Sequence, residues 1–282
     1  MRATSAVVCL VLLVSLLAGG CGETLEVESE PPEEPLRLSL DPLLTPLARE
    51  LLALAPTIDV VTMKSTDEVS TFADLLRGDL DGALTLREPT SDEQRVAKGR
   101  DLVRGLPLHS QPVARDHLAL VVAVDNSLRT IDKAQLTDVL SMYRTEWEGL
   151  HGAGPLTLVA RPRDTSVWSV LLSAMPNLKA PPVGLRAVAT DHDVVKLVTE
   201  TEGGFGVCSS TVVKSLRVLP ISEGGQEFRP GEDGWPLTRE IVLVTRGPAG
   251  KLAPLVQAAN SPAGVRLIRG LGFFPVSGDA PQ

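Results

Sequence analysis

Cysteine is scarce in this chain of 282 residues, where only Cys9, Cys21 and Cys208 occur. Cys9 lies inside an apolar leader and Cys21 closes it, which leaves Cys208 alone in the body. No disulfide framework can brace such a fold, so it has to rest on its apolar core. Histidine is thin as well: His109, His117, His151 and His192 are scattered, with no pair at the helical spacing of a metal site. No Cys/His spacing suggests structural zinc, and neither metal nor cofactor is expected. Aromatic residues make up 3% of the chain, too few for a surface that stacks bases or sugars. Positive charge is not in excess either. The net charge of −8 argues against a nucleic-acid partner, which needs a basic face. Glu23, Glu26, Glu28, Glu30, Glu33 and Glu34 supply most of that charge, so the remainder is close to neutral and says little about a ligand.

What is present begins with the leader. Arg2 and the apolar run at 7–18 make a secretory segment too short to span a bilayer. It ends in Ala18-Gly19-Gly20-Cys21, and small residues before a cysteine look like a bacterial lipobox, with cleavage before Cys21 and lipid on its sulfur. Alanine three places before the cysteine, where leucine is commonest, is a departure; an ordinary signal peptide with an incidental cysteine is the alternative. The expectation is a lipoprotein of the cell envelope, with leader 1–20, a lipidated Cys21 and a membrane anchor, facing the periplasm or the outside. Residues 21–35 are rich in Glu and Pro, cannot bury an apolar face, and read as a tether.

Beyond the tether, strands and helices alternate. Residues 36–40 alternate as a strand, Thr45 can cap a helix carrying Leu47, Leu51, Leu52 and Leu54, and residues 58–63 form a second strand. A helix through Phe72 ends at Gly78, and residues 82–86 form a strand leading to Arg87. Residues 118–124 are an unbroken apolar run, as expected of a strand buried on both faces. After the turn Asp125-Asn126-Ser127, Asp132 and Gln135 make a capping box for a helix whose Leu136, Val139, Leu140 and Tyr143 share one face. Residues 156–160 form a strand delivering Arg161, followed by helices at 167–175 and 193–201, a Gly203-Gly204 turn, strands near 206–209 and 241–245, and helices from about Leu252 and Pro262. Such alternation predicts a largely parallel sheet with ligand sites at the carboxyl ends of its strands. Cys208-Ser209-Ser210 follows a glycine-rich turn without an elbow motif or a nearby base, so Cys208 reads as a buried strand residue and no enzyme is expected.

Particular wording in this order resembles the phosphate-binding proteins of ABC importers. The stretch from Asp116 to Trp147 is similar to that family's strand, Asn-containing turn, helix and tryptophan. Gly203-Gly204-Phe205-Gly206-Val207 looks like its return from the second lobe. Trp235-Pro236-Leu237-Thr238-Arg239 looks like the segment before the strand that crosses back, and Gly272-Phe273-Phe274-Pro275 like its C-terminal signature. The resemblance covers most of residues 36–277. It implies a type II periplasmic-binding-protein fold: α/β, two lobes, mixed and mainly parallel sheets, and a two-strand hinge. Lobe 1 would comprise 36–116 and 240–277, lobe 2 residues 117–239, with a tail at 278–282.

The resemblance is weaker in the binding loops. Buried phosphate needs helix N-termini, hydroxyls and an arginine. Where the family has a glycine-serine-threonine loop, this chain has Leu40-Asp41-Pro42; Asp41 repels an anion and Pro42 offers no N–H. Ser65 to Thr71 keeps hydroxyls but adds Asp67 and Glu68. Arg161 matches the family's arginine and Thr165 can stand for its serine, while its glycine, where this chain has Ser166, and its final threonine are missing and Asp164 intrudes. Arg87 ends a strand and reads either as an anion anchor or as a surface arginine paired with Glu88 or Asp92; Arg163 reads as solvated. The resemblance thus implies a monomeric solute-binding protein that presents phosphate or another small anion to an ABC permease. Arg87 and Arg161 would supply charge, and Thr45, Ser70, Thr71, Thr165 and Ser166 hydrogen bonds. The competing reading is an envelope interaction or regulatory module without phosphate, favoured if Asp41, Asp67, Glu68 and Asp164 line the cleft unpaired, whereas binding survives if they point outward or pair with Arg87, Arg161 and Arg163; a zwitterionic ligand lies between the two.

Overall fold

The structure is a computed structural model that describes residues 35–58, 61–99, 107–150 and 154–276. The expected leader, the lipidated Cys21, the tether as far as residue 34, His151, the tail and residues 59–60 of the second strand lie outside the described residues. The first alternating stretch forms β1 (Leu36–Leu40), paired in parallel with β2 (Val61–Ser65) and β3 (Gly82–Thr85). Between and after these strands run α1 (Thr45–Ala53), α2 (Glu68–Arg77) and α3 (Ser91–Gly99). The apolar run at 118–124 is the end of a longer strand, β4 (Leu108–Val122). Then follow β5 (Ile131–Asp132), α4 (Lys133–Leu140), β6 (Thr157–Ala160), α5 (Ser166–Ala174), β7 (Arg186–Ala187), α6 (Asp191–Glu200) and β8 (Gly204–Ser209). Short strands β9 (Arg217–Leu219), β10 (Ile221–Glu223) and β11 (Gln226–Phe228) precede β12 (Thr238–Arg246), α7 (Ala253–Asn260), α8 (Pro262–Gly270) and β13 (Phe274–Pro275).

The main sheet runs β2-β1-β3-β12-β4-β8-β6-β7, parallel towards both ends and antiparallel around β12 and β4. β4 serves two cores. Residues 108–117 pair with β12, whereas residues 118–122 pair with β8 and β9. On the first side, Leu38, Leu47, Leu84, Ile241 and Ile268 pack together, with Phe72, Leu75 and Val244 on the opposite sheet face. On the second side, Leu118, Leu120, Leu136, Trp147, Leu158, Trp168 and Phe205 form a separate cluster. Each fully buried large side chain contributes about 1.5–3 kcal/mol, so both halves carry a core of their own.

Local chemistry explains most of the element ends. Asp132 and Gln135 form the expected capping box, and Gly78 ends α2 with φ of 83°. Two details differ from the sequence reading. Thr45 sits inside α1 rather than capping it, because Asp41 caps a preceding 3-10 turn at Pro42–Leu44. Tyr143 does not share the buried face of α4: the helix stops at Leu140, Met142 takes φ of 59°, and Tyr143 is 87% exposed. Gly203 is a true glycine position. With φ of 70°, a Cβ there would lie 1.9 Å from Pro155 O, while Trp147 Nε1 donates to Gly203 O at 2.9 Å. Gly203→Ala is therefore expected to lower stability by at least about 1–3 kcal/mol, read by urea unfolding; a change within about 0.5 kcal/mol contradicts the steric argument.

Candidate functional site

Charged residues from both halves converge where the strands of the main sheet end. The end of β1 delivers Asp41, the first turn of α2 Glu68, the end of β3 Arg87, and the end of β6 Arg161. β4 and β12 contribute Asp116 and Arg239, which are register partners on adjacent strands, and α6 begins with Asp191. Asp41, Glu68, Asp116, Arg161, Ser166, Asp191 and Arg239 are all buried.

The pairing is specific. Arg161 Nη1 donates to Asp41 Oδ2 at 2.7 Å and stands 3.5 Å from Asp191 Oδ2. Arg239 Nε donates to Asp116 Oδ2 at 2.8 Å, and its Nη1 donates to Ser166 Oγ at 2.9 Å. Because that hydroxyl accepts from Arg239, its own proton goes to Glu68 Oε1 at 2.7 Å, while Ser166 N donates to Glu68 Oε2 at 3.0 Å. Arg87 Nε donates to the same Oε2 at 3.2 Å. The remaining guanidinium nitrogens of Arg87 hold Glu93 at 2.9 and 3.0 Å, and the plane lies 4.2 Å from the Phe72 ring centroid. Asp191 Oδ1 accepts from Ser209 N at 2.6 Å.

These neighbours set the charge states. Burial alone would lower the pKa of Arg239, but Asp116 and Asp191, with Glu68 and Asp41 behind them, hold it above its ordinary value. Arg161 behaves alike, with burial overcome chiefly by Asp41 and Asp191. Burial raises Asp116 against the pull of Arg239 and Ser209. Burial also pushes the Cys208 thiol well up, with Asp191 and Asp116 adding to it, so this cysteine on β8 is not a poised nucleophile. Glu93 is held below its ordinary 4.5: burial would raise it, but Arg87 and Thr90 prevail. A carboxylate depressed in the folded state adds stability above its unfolded pKa and loses it as pH falls through the folded value. Accordingly, Glu93→Gln is expected to be less stable than wild type above about pH 4.5, with the gap closing on acidification. A gap that widens as pH falls has the wrong sign for this pair.

Among the residues singled out in the sequence, Arg161, Arg87 and Ser166 meet at this junction. Thr165 is buried beside them, but its hydroxyl donates to Pro162 O at 2.8 Å and makes no helix cap. Thr71 joins Ser39 and Thr66 in a hydroxyl cluster. Ser70 is exposed, with its N–H on the Asp67 cap, and Thr45 is half-buried in the first turn of α1. Of the four intruding acids, Asp41 and Glu68 turn inward and pair, whereas Asp67 and Asp164 are exposed. Arg163 is exposed and donates to Pro182 O. Among the described residues, no three His, Cys, Asp or Glu side chains are arranged to hold a metal ion. A cavity of about 350 Å³ opens against the junction, lined by Arg87, Ser166, Ser169, Val170, Thr238 and Arg239.

A family model described as a PBP superfamily domain matches residues 38–264. The chain belongs to the PBP superfamily. A search of curated proteins found no match. Solved structures share the fold of this PBP-superfamily chain at low identity. A substrate-binding protein with bound phosphate from Clostridium perfringens superimposes with a TM-score of 0.72 at 14% identity, covering 86% of this chain and 100% of that one. An ABC-type phosphate transport receptor from Vibrio cholerae gives 0.62 at 19%, covering 85% and 99%. A phosphate-binding protein from Stenotrophomonas maltophilia gives 0.66 at 11%, covering 87% and 91%. The mixed α/β sheet of this PBP-superfamily chain is thus the two-lobed periplasmic-binding-protein fold, with β4 the long strand shared by its two cores and β12 paired alongside its first half.

Asp116, Asp191 and Arg239 were not singled out as site residues from the sequence. Asp191 has the look of an ordinary acid at a helix start. Arg239 belongs to a quoted motif, but only its register with Asp116 shows its partner.

Proposed function

We propose that this chain is an extracytoplasmic, lipid-anchored solute-binding protein that captures phosphate or a related small oxyanion in the interlobe cleft and presents it to an ABC permease. On this reading lobe 1 is 36–116 with 240–277, lobe 2 is 117–239, and β4 and β12 lie at the two-strand hinge. One observation carries the reading: a carboxylate, that of Glu68, sits on converging donors formed by the backbone and hydroxyl of Ser166 at the start of α5 and by Arg87. An oxyanion seat needs such a set, a helix N-terminus backed by a guanidinium. Arg161 keeps a buried Nε with no hydrogen-bond partner among the described residues, a spare donor for a solute. The phosphate bound to one fold neighbour, and the phosphate transport in the name of another, agree in chemistry.

A second reading has its own observation. Asp41 and Glu68 do not stand unpaired but occupy donors of Arg161, Arg87 and Ser166, as in a cleft closed permanently on itself and used as an envelope interaction module. Calorimetric titration of the chain with phosphate, sulfate and amino acids separates the two. Saturable heat with phosphate supports capture, while no heat from a well-folded sample favours the module.

A further inference from the structure

The carboxylate of Glu68 has no partner among the described residues other than Ser166 and Arg87, and its side chain is 1% exposed. Asp41 differs, because its second oxygen caps the turn at Pro42–Leu44 at 3.0 Å and ties it to its own lobe. Glu68 is the first residue of α2, held in place by the Asp67 cap. One helix therefore delivers a carboxylate onto the N-terminus of another, 98 residues further along.

We infer that Glu68 is a built-in ligand: a tethered carboxylate that holds the anion seat and closes the cleft without solute, so that an entering oxyanion binds by displacing it. The displacement rests on the oxyanion reading above; the occupancy stands on the geometry of Glu68 alone. Charge favours exchange over addition. Asp41, Glu68, Asp116 and Asp191 already face Arg87, Arg161 and Arg239, and a further anion beside them meets like charges in a buried site. A monoanion that replaces the Glu68 carboxylate leaves the balance unchanged. The adjoining cavity shares Arg87, Ser166 and Arg239 with the seat, which gives the solute its approach. A tethered competitor acts at a high effective concentration and weakens apparent affinity by the fraction of time that the seat is free.

The amide of Ser166 is the readout. It belongs to the first turn of α5, whose N–H groups have no partner within the helix, so its protection comes from Glu68. Amide exchange at Ser166 in the full chain without ligand is expected to be at least about 10-fold faster in Glu68→Ala than in wild type. Inorganic phosphate should restore protection in the variant and bind it at least about 10-fold more tightly, a difference of about 1.4 kcal/mol. Glu68→Asp keeps the helix start but is one methylene short of the seat; it should release Ser166 likewise and serves if the alanine variant does not fold. Equal exchange in wild type and both variants overturns the inference. Equal phosphate affinity in wild type and Glu68→Ala overturns displacement. Faster exchange with no phosphate binding to either protein supports Glu68 as occupant and removes the oxyanion reading instead.

Discussion

Replacing Arg239 with methionine is expected to destabilise the protein by about 3–5 kcal/mol. The guanidinium lies between two buried acids, with Nε and Nη2 each 2.8 Å from Asp116 Oδ2 and Nη2 3.6 Å from Asp191 Oδ1. Methionine fills much of the volume but leaves Asp116 buried and uncompensated at the centre of β4. It also frees the Ser166 hydroxyl from the contact that aims its proton at Glu68. Desolvation of an unpaired carboxylate outweighs any gain in apolar packing. Converting Asp116 to leucine in the same chain removes that charge and should restore a large part of the loss. Denaturant unfolding of the single and double variants reads this directly; a loss below about 1 kcal/mol for the single variant means that the pair is not buried as described.

Arg161→Ala is expected to abolish most oxyanion binding, a loss of at least about 10-fold to 100-fold, in keeping with about 1.5–3 kcal/mol for a hydrogen bond to a charged group. The residue ends β6, is 2% exposed, and faces Asp41 and Asp191. Removing it takes away the guanidinium with a spare buried donor and leaves two acids facing the cleft. Arg161→Lys keeps the charge but not the planar fork, so it should recover stability more fully than affinity. Calorimetry with phosphate on both variants tests the claim, and unchanged affinity in the alanine variant takes Arg161 out of the site.

Much of the fold is legible along the chain because its signals are local. The capping box at Asp132 and Gln135, the left-handed Gly78, the apolar run in β4 and the alternation in β1 each depend on a few neighbouring residues. β9, β10 and β11 escape notice because three-residue strands are too short to show a period. The site is less legible, for a physical reason. An acid in the first turn of a helix is ordinary, since it suits the helix dipole, so nothing local marks Glu68 or Asp191 as buried. Their roles appear only when pairing brings Arg239 beside Asp116 and Arg161 beside Asp41, partners 123 and 120 residues apart. Asp41 shows the limit well. An acid hostile to an anion, with pairing to an arginine as one alternative, could be read from the sequence, whereas its role as a cap could not.

A crystal structure of the chain grown in phosphate tests the oxyanion seat most directly. The expected result is a tetrahedral anion within hydrogen-bond reach of Ser166 N, Ser166 Oγ and Arg87, with the Glu68 carboxylate swung out of the seat. A phosphate-soaked crystal in which Glu68 still rests on Ser166 and no anion lies in the cleft contradicts oxyanion capture at this site.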